Sequence, residues 1–538
     1  TDTFNMAVNW RGDKARIGAS YFGSFFQDAY NSVNFMTFAG ANVMQQMSTM
    51  PSNQFQQLNL NGGYDFTSKT KLISNLSFGR STQSATSGFD AVQMLGGVPS
   101  YNGIVNTKHA DVKLIDQTVK NLTLSALYRY DERADLSSSD MYYFNAISGA
   151  NPAYYPNTPL SFKKSVAEAS AVYRLTKDQT LGLTYANQQI VRWCNNYATG
   201  GGGNPTSSYP GGTDCVTANS SAANSLNAFY KLRATEDLNF RFAYGTEVRK
   251  TTWDQNAITA MSGANVNNAA FAQSMVPGQN GGDYLGYQPF FEASRVQQNV
   301  KASANWQATE ALSFGVNGRY LYDNYTDSTY GVQNGSSWSV NLDATYSYSD
   351  TGSVVAYATQ QNGQRKLNNY YYSTGTAATS ILYNGTWGNT LVDNATTVGL
   401  GFKQTGLMGN KLSLSADATY SLATTAYDTT LNNTGTTVTG QPLSCSSSAS
   451  TVSPSMSGTC GAPPTIRNAM MMFKLTAAYQ IDKTQRVSLQ YLFQHLDTND
   501  YYFNGYQYGY TPTSVMPTNQ TSPNYNVNVI MLMYRLEL

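Results

Sequence analysis

Residues 231–242 read KLRATEDLNFRF: an alternating polar–apolar run, a short turn, and a second alternating run going back. Residues 306–314 (WQATEALSF) and 175–183 (LTKDQTLGL) repeat the pattern, and nine such reversals occur along the chain. Strict alternation is the signature of a strand with two unlike faces. Between the tight reversals lie long irregular segments rich in Gly, Ser, Asn and Tyr. Short turns at one end and long loops at the other describe an up-and-down antiparallel sheet. With one face apolar along its whole length, such a sheet closes into a large membrane-spanning β-barrel, so an all-β fold is expected.

Composition agrees with that reading. The 538 residues include 40 Tyr and 44 Gly, yet only 12% are charged and the net charge is +1. Soluble chains carry about 25% charged residues. No apolar run approaches the roughly 20 residues of a transmembrane helix, the densest being residues 529–533. Mean hydropathy is negative, as expected when only alternate strand residues face lipid. The near-neutral balance gives no electrostatic case for nucleic acid. Because the pattern never changes character, residues 1–538 are read as a single barrel domain. No signal peptide is visible, which leaves export open because such signals are cleaved.

Parity separates the faces. Leu122, Leu124, Ala126, Tyr128 and Tyr130 share one face, opposite Thr123, Ser125, Arg129 and Asp131, with Leu127 the exception. Leu238, Phe240, Phe242, Tyr244 and Val248 alternate with Asn239, Arg241, Glu247 and Arg249. The same holds for Phe314, Val316 and Tyr320 against Arg319, and for Leu414, Ala416 and Ala418 against Asp417. An Arg facing lipid at the bilayer midplane would cost roughly 2–4 kcal/mol, so the charged face is the lumen. A soluble sandwich or solenoid would need more surface charge and a repeat of fixed length.

The tight turns carry polar breakers, as in residues 67–70 (TSKT), 349–352 (SDTG) and 482–484 (DKT). Outer-membrane barrels keep short turns in the periplasm, which puts the long segments near 194–223, 254–292, 361–394, 428–467 and 504–523 outside. Two strands per hairpin plus a last strand over 524–538 give about 19. Bacterial barrels have even strand numbers, and the first strand, residues 3–9, runs inward from the outside. N-terminal strands are therefore expected to be missing, and Thr1 is not expected to be the natural start. In the last strand Ile530, Leu532, Tyr534, Leu536 and Leu538 form an apolar row resembling the C-terminal insertion signal of outer-membrane barrels. Tyr525, Val527 and Val529 have the opposite parity, which predicts a bulge.

Chemistry-bearing residues are few. His109 and His495 are the only histidines and are expected at the rim or surface. There is no haem-attachment motif, nucleophile elbow or phosphate loop, so no enzyme is expected. Asp323 and Asp327 are a candidate pair for weak calcium binding, with solvated loop acids as the alternative. Cys194 and Cys215 bracket one outer loop, and Cys445 and Cys460 bracket another. Pairing within each loop is favoured over pairing between loops, in an oxidising exterior, and would contribute roughly 3 kcal/mol each in the chain-entropy model.

Residues 17–26 (IGASYFGSFF), 51–83, 119–133 (VKNLTLSALYRYDER), 160–175 (LSFKKSVAEASAVYRL), 336–348 (SSWSVNLDATYSY) and 524–535 (NYNVNVIMLMYR) together resemble the MtrB/PioB family of decahaem-associated outer-membrane proteins. The likeness runs from near Ile17 to the C-terminus. It lacks the family's N-terminal region with its Cys-x-x-Cys, and the outer loops show no such likeness. The resemblance implies a sheath in the Gram-negative outer membrane that encloses a periplasmic decahaem c-type cytochrome. In many members a second multihaem cytochrome docks on the cell surface, so that electrons cross the membrane. Each c-type haem needs two thioether cysteines and a histidine. The haem would therefore belong to the partners, with none bound by this chain. Arg129, Asp131, Arg241, Glu247, Arg249, Arg319 and Asp417 are candidate lumen contacts, against the plainer reading of a wet pore wall. The alternative function is a general or substrate-specific diffusion porin. An adhesin or secretion barrel would need a passenger or plug domain, and these residues contain none.

Overall fold

The computed structural model describes residues 1–30, 32–36, 44–85, 101–139, 141–144, 153–195, 216, 218–253, 290–328, 331–372, 384–433, 465–500 and 524–537. Strands dominate. They are β1 (Asp2–Arg11), β2 (Ala15–Phe26), β3 (Ser32–Met36), β4 (Met44–Ser48), β5 (Ser52–Asp65), β6 (Thr70–Ala85), β7 (Tyr101–Asp116) and β8 (Leu122–Asp135). Then follow β9 (Met141–Phe144), β10 (Ala153–Pro156), β11 (Leu160–Arg174), β12 (Gln179–Cys194), β13 (Ser220–Arg233), β14 (Leu238–Thr252), β15 (Arg295–Gln307) and β16 (Leu312–Asn324). The chain continues through β17 (Gly331–Ser349), β18 (Gly352–Tyr372), β19 (Asn384–Gly406), β20 (Leu412–Asn433), β21 (Ile466–Gln480), β22 (Gln485–Asn499) and β23 (Tyr525–Leu536). Nineteen of these strands form one sheet, while β3–β4 and β9–β10 are separate two-stranded ribbons.

The chain divides into two compact units, one of Thr1–Arg174, Gly182–Asn227 and Glu247–Ser294, the other of Leu175–Leu181, Ala228–Thr246 and Arg295–Leu538. In the first unit, neighbours along the chain pair antiparallel, β1–β2–β5–β6–β7–β8–β11. In the second the same meander runs from β15 to β23. β1 opens the first meander by pairing with β2, and β23 ends the second by pairing with β22.

The packing differs from that of a soluble domain. Buried hydrophobic residues are few and mostly alanines, such as Ala218, Ala223, Ala293 and Ala469. The large apolar side chains point away from the protein: Phe78 is 49% exposed, Leu124 41% and Leu400 54%. A contiguous apolar face of this size is unstable in water and suited to lipid. Cross-strand register joins these residues into a belt, with Leu60 opposite Leu76, Leu76 opposite Ala110, and Val112 opposite Tyr128. Near the tight turns aromatic pairs rim the belt: Trp306 stacks on Phe314 at 5.7 Å, and Tyr64 meets Phe66 edge-on at 4.9 Å. Membrane interfaces favour such girdles.

The reversals follow from local chemistry. At the turn between β21 and β22, Asp482 accepts hydrogen bonds from the Thr484 and Gln485 backbone N–H groups at 2.8 and 2.9 Å. Those bonds, the Thr484 N–H first, hold its carboxyl below the ordinary value. The turn between β19 and β20 contains α1 (Leu407–Asn410), a single turn in which Met408 has φ 51°, flanked by Gly409 at 68° and Asn410 at 68°. Left-handed backbone costs a residue with a Cβ roughly 1–2 kcal/mol. Met408→Gly is therefore expected to raise stability by about 1 kcal/mol, read as a higher midpoint in urea unfolding from lipid vesicles.

Two expectations are corrected. The segment 361–394, read as an outer loop, is mostly sheet: β18 and β19 stay in register from Gln361↔Ala395 to Tyr372↔Asn384. Its Asn, Gln, Thr and Tyr residues resemble loop composition, but a strand outside the bilayer needs no apolar face. Side-chain bonds such as Asn362 to Asn394, 2.7 Å, support the pairing there. The bulge predicted in the last strand is also absent, because β22 and β23 pair without a shift from Gln485↔Leu536 to Leu496↔Tyr525. The segments 196–215, 254–289, 434–464 and 501–523, which make up most of the other four expected outer loops, lie outside the described residues.

Candidate functional site

The polar face is the candidate site, and its charge is concentrated on β7, β8 and β11. Antiparallel register sets Asp131 opposite His109 on one side and Lys164 on the other. Arg129 lies opposite Asp111 and Val166, and Leu127 lies between Lys113 and Glu168. The alternation of the three strands thus places seven ionisable side chains on one surface. His109 is half-buried within β7, not at a rim: Nδ1 is 2.6 Å from Asp131 and Nε2 is 3.1 Å from Asp111. Asn75 on β6 donates to both Asp111 oxygens, at 3.0 and 3.1 Å. Both imidazole nitrogens face carboxylates, so the ring is held as part of a polar network. His495 lies on β22 with Nδ1 2.7 Å from the Asn526 side-chain oxygen.

The other candidates are placed separately. Arg241 on β14 lies over the Phe229 ring at 4.8 Å, and Lys231 lies over the same ring at 5.4 Å. Two cations thus share one aromatic ring, an arrangement that parity does not anticipate because Phe229 occupies a polar-face position. Arg249 donates through Nε to the Ala293 carbonyl at 2.8 Å, through Nη1 to Phe291 at 2.9 Å and through Nη2 to Phe290 at 2.9 Å. Those donors anchor the segment leading into β15 rather than facing an occupant. Arg249→Ala is expected to cost roughly 1–3 kcal/mol and to speed amide exchange at residues 292–295. Glu247 stands two residues before it on the same face.

Arg319 lies opposite Lys301 and Ser339 and lines a shallow polar cavity with Ser337, Gln361 and Asp393. Asp417 lies opposite Lys474 on one side and Gly401 on the other. A Cβ at Gly401 would come within 3.2 Å of the Asp417 carboxylate, so glycine leaves room for that acid. Asp323 accepts a bond from Gln297 at 2.8 Å and is 3.4 Å from Arg295, so its charge is balanced within the sheet. Among the described residues no group of three His, Cys, Asp or Glu side chains is placed to hold a metal. Cys194 ends β12 and is disulfide-bonded. Cys215, Cys445 and Cys460, and with them the expected pairings, lie outside the described residues.

The polar face gains apolar residues towards the last strand, although Lys474 and Thr476 on β21 and Gln490 and Gln494 on β22 keep polar groups on it. Register carries the face of Asp417 and Lys474 on to Leu492 and Val529, with Met472 and Val527 beside them. Met531 and Met533 continue it, at 39% and 43% exposed. Without the bulge, Tyr525, Val527 and Val529 stay on this face, while Ile530, Leu532 and Tyr534 cover the other.

A sheet that exposes an apolar face, gathers charge on the opposite one and reverses through short polar turns defines the outer-membrane β-barrel porins. The chain belongs to the MtrB/PioB family: the family described as "Putative outer membrane beta-barrel porin, MtrB/PioB" matches residues 1–538. Its location is the Gram-negative outer membrane. The chain is 24% identical over 438 residues to outer membrane protein MtrB of Shewanella baltica, covering 78% of this chain and 54% of that protein. It thus spans about half the length of that relative. Among solved structures, the FrpB iron transporter of Neisseria meningitidis is similar at TM-score 0.43 and 9% identity, covering 92% of this chain and 72% of that one. The ferric-catecholate import receptor Fiu of E. coli K12 is similar at 0.43 and 10%, covering 91% and 75%. Likeness at that level carries no argument about ligand or lumen.

Proposed function

We propose that this barrel is a non-enzymatic sheath that encloses and positions a periplasmic multihaem c-type cytochrome, so that electrons cross the outer membrane through the partner's haems. Membership of the MtrB/PioB family carries the reading, and the residues are consistent with it. The chain has two histidines, both engaged with neighbouring side chains, and no haem-attachment motif. The wall then supplies insulation and grip. Its apolar face meets lipid, while the charged patch on β7, β8 and β11 and the methionine-rich strip on β21–β23 offer two unlike contact surfaces. Flexible methionines suit an irregular apolar partner. A second multihaem cytochrome on the cell surface would complete the conduit.

The test is purification from the native membrane in mild detergent. Haem absorbance that co-elutes with this chain, with a covalent haem protein recovered in fixed ratio, is the expected result. A colourless barrel that conducts ions in planar bilayers would assign the chain to diffusion porins instead.

A further inference from the structure

The apolar face ends at a defined line in the first unit. Its outward positions are apolar or small through Phe78 on β6, Ala110 on β7, Tyr130 on β8 and Ser165 on β11. The next outward positions are Arg80, Lys108, Glu132 and Lys163. From the tight turns to this line each strand uses roughly 10 residues, the length that crosses the hydrocarbon when tilted. The line therefore marks the boundary of the outer leaflet on the wall that faces lipid.

Register makes these residues neighbours. Lys108 lies opposite Phe78 and Glu132, Glu132 opposite Lys163, and Arg80 one diagonal step from Lys108. Lys108 Nζ donates to Glu132 at 3.0 Å, with 50% of the lysine side chain exposed. Glu132 also accepts the Tyr130 hydroxyl. One acid thus serves the row, while Arg80 and Lys163 have no ion pair among the described residues. Beside them a shallow groove is lined by Tyr21, Leu58 and Phe78 and rimmed by Arg80 and Lys108. On β18, by contrast, the outward residues after Ala358 are Gln360, Asn362 and Gln364.

We infer that Arg80, Lys108 and Lys163 form a site on the outer wall for the phosphorylated glycolipid of the outer leaflet. A phosphate sits among the cations and an acyl chain lies along Leu58 and Phe78. Cationic side chains at a bilayer surface contribute about 1 kcal/mol each toward anionic headgroups, or about fivefold in affinity.

The experiment titrates the purified barrel, with any partner retained, with bisphosphorylated lipid A, dephosphorylated lipid A, phosphatidylglycerol and inorganic phosphate. Bisphosphorylated lipid A should bind tightest, and inorganic phosphate should not displace it. Arg80→Gln and Lys163→Gln should each weaken binding about fivefold, whereas Glu132→Gln, which releases Lys108, should strengthen it. Lys69→Gln, in a tight turn at the other end, serves as the unchanged control. Retained heat-modifiable mobility in gels confirms that each variant is folded. Equal binding of dephosphorylated lipid A, equal or tighter binding of phosphatidylglycerol, displacement by inorganic phosphate, or native affinity in both Arg80→Gln and Lys163→Gln would overturn the assignment.

Discussion

Ala126→Arg is expected to destabilise the barrel by roughly 2–4 kcal/mol, whereas Leu127→Arg, one residue along, should change stability by less than about 1 kcal/mol. Ala126 sits in the apolar belt between Leu114 and Ala169. A guanidinium there must leave water or deform the bilayer to reach it. Leu127 is the one apolar residue on the polar side of β8, between Lys113 and Glu168. An arginine there gains one opposite charge, meets one like charge and stays wet. Denaturant unfolding from vesicles, followed by tryptophan fluorescence, reads both. Equal costs at the two positions would mean that the faces have been assigned wrongly.

The second large effect concerns the charged patch. If the barrel encloses a cytochrome as proposed, reversing Arg129 and Lys164 together to Glu is expected to weaken its retention at least tenfold, with the barrel still inserted. In the native sheet these cations lie opposite Asp111 and Asp131. Their reversal converts a balanced surface into a block of like charge, which suppresses docking more than it suppresses folding in a wet lumen. Haem-to-barrel ratio after a salt wash measures it, and an unchanged ratio would remove this patch from the contact surface.

Much of the fold was legible because strands of a membrane barrel are written in parity. The alternation around Arg129, Arg241, Arg319 and Asp417 set two unlike faces apart, and the tight reversals gave a count of about 19 that matches the sheet. Legibility failed where the bilayer no longer dictates composition. Residues 361–372 pair as sheet although their Asn and Gln content reads as loop. It failed again on β23, where both faces are apolar and alternation alone cannot say which faces inward. The site was legible as a face but not as contacts. Arg249 shares the parity of Arg241, yet its donors close on carbonyls that begin 41 residues later, at Phe290. The meeting of His109 with Asp131 and Asp111 depends on the register between β7 and β8 as well as on spacing along the chain.

The most direct test of the sheath account is the haem content of the barrel isolated from its own outer membrane, measured with ion conductance on the same preparation. The account predicts covalent c-type haem in fixed stoichiometry with this chain and a pore that conducts little while the occupant is present. A haem-free preparation with stable, large single-channel conductance would contradict it.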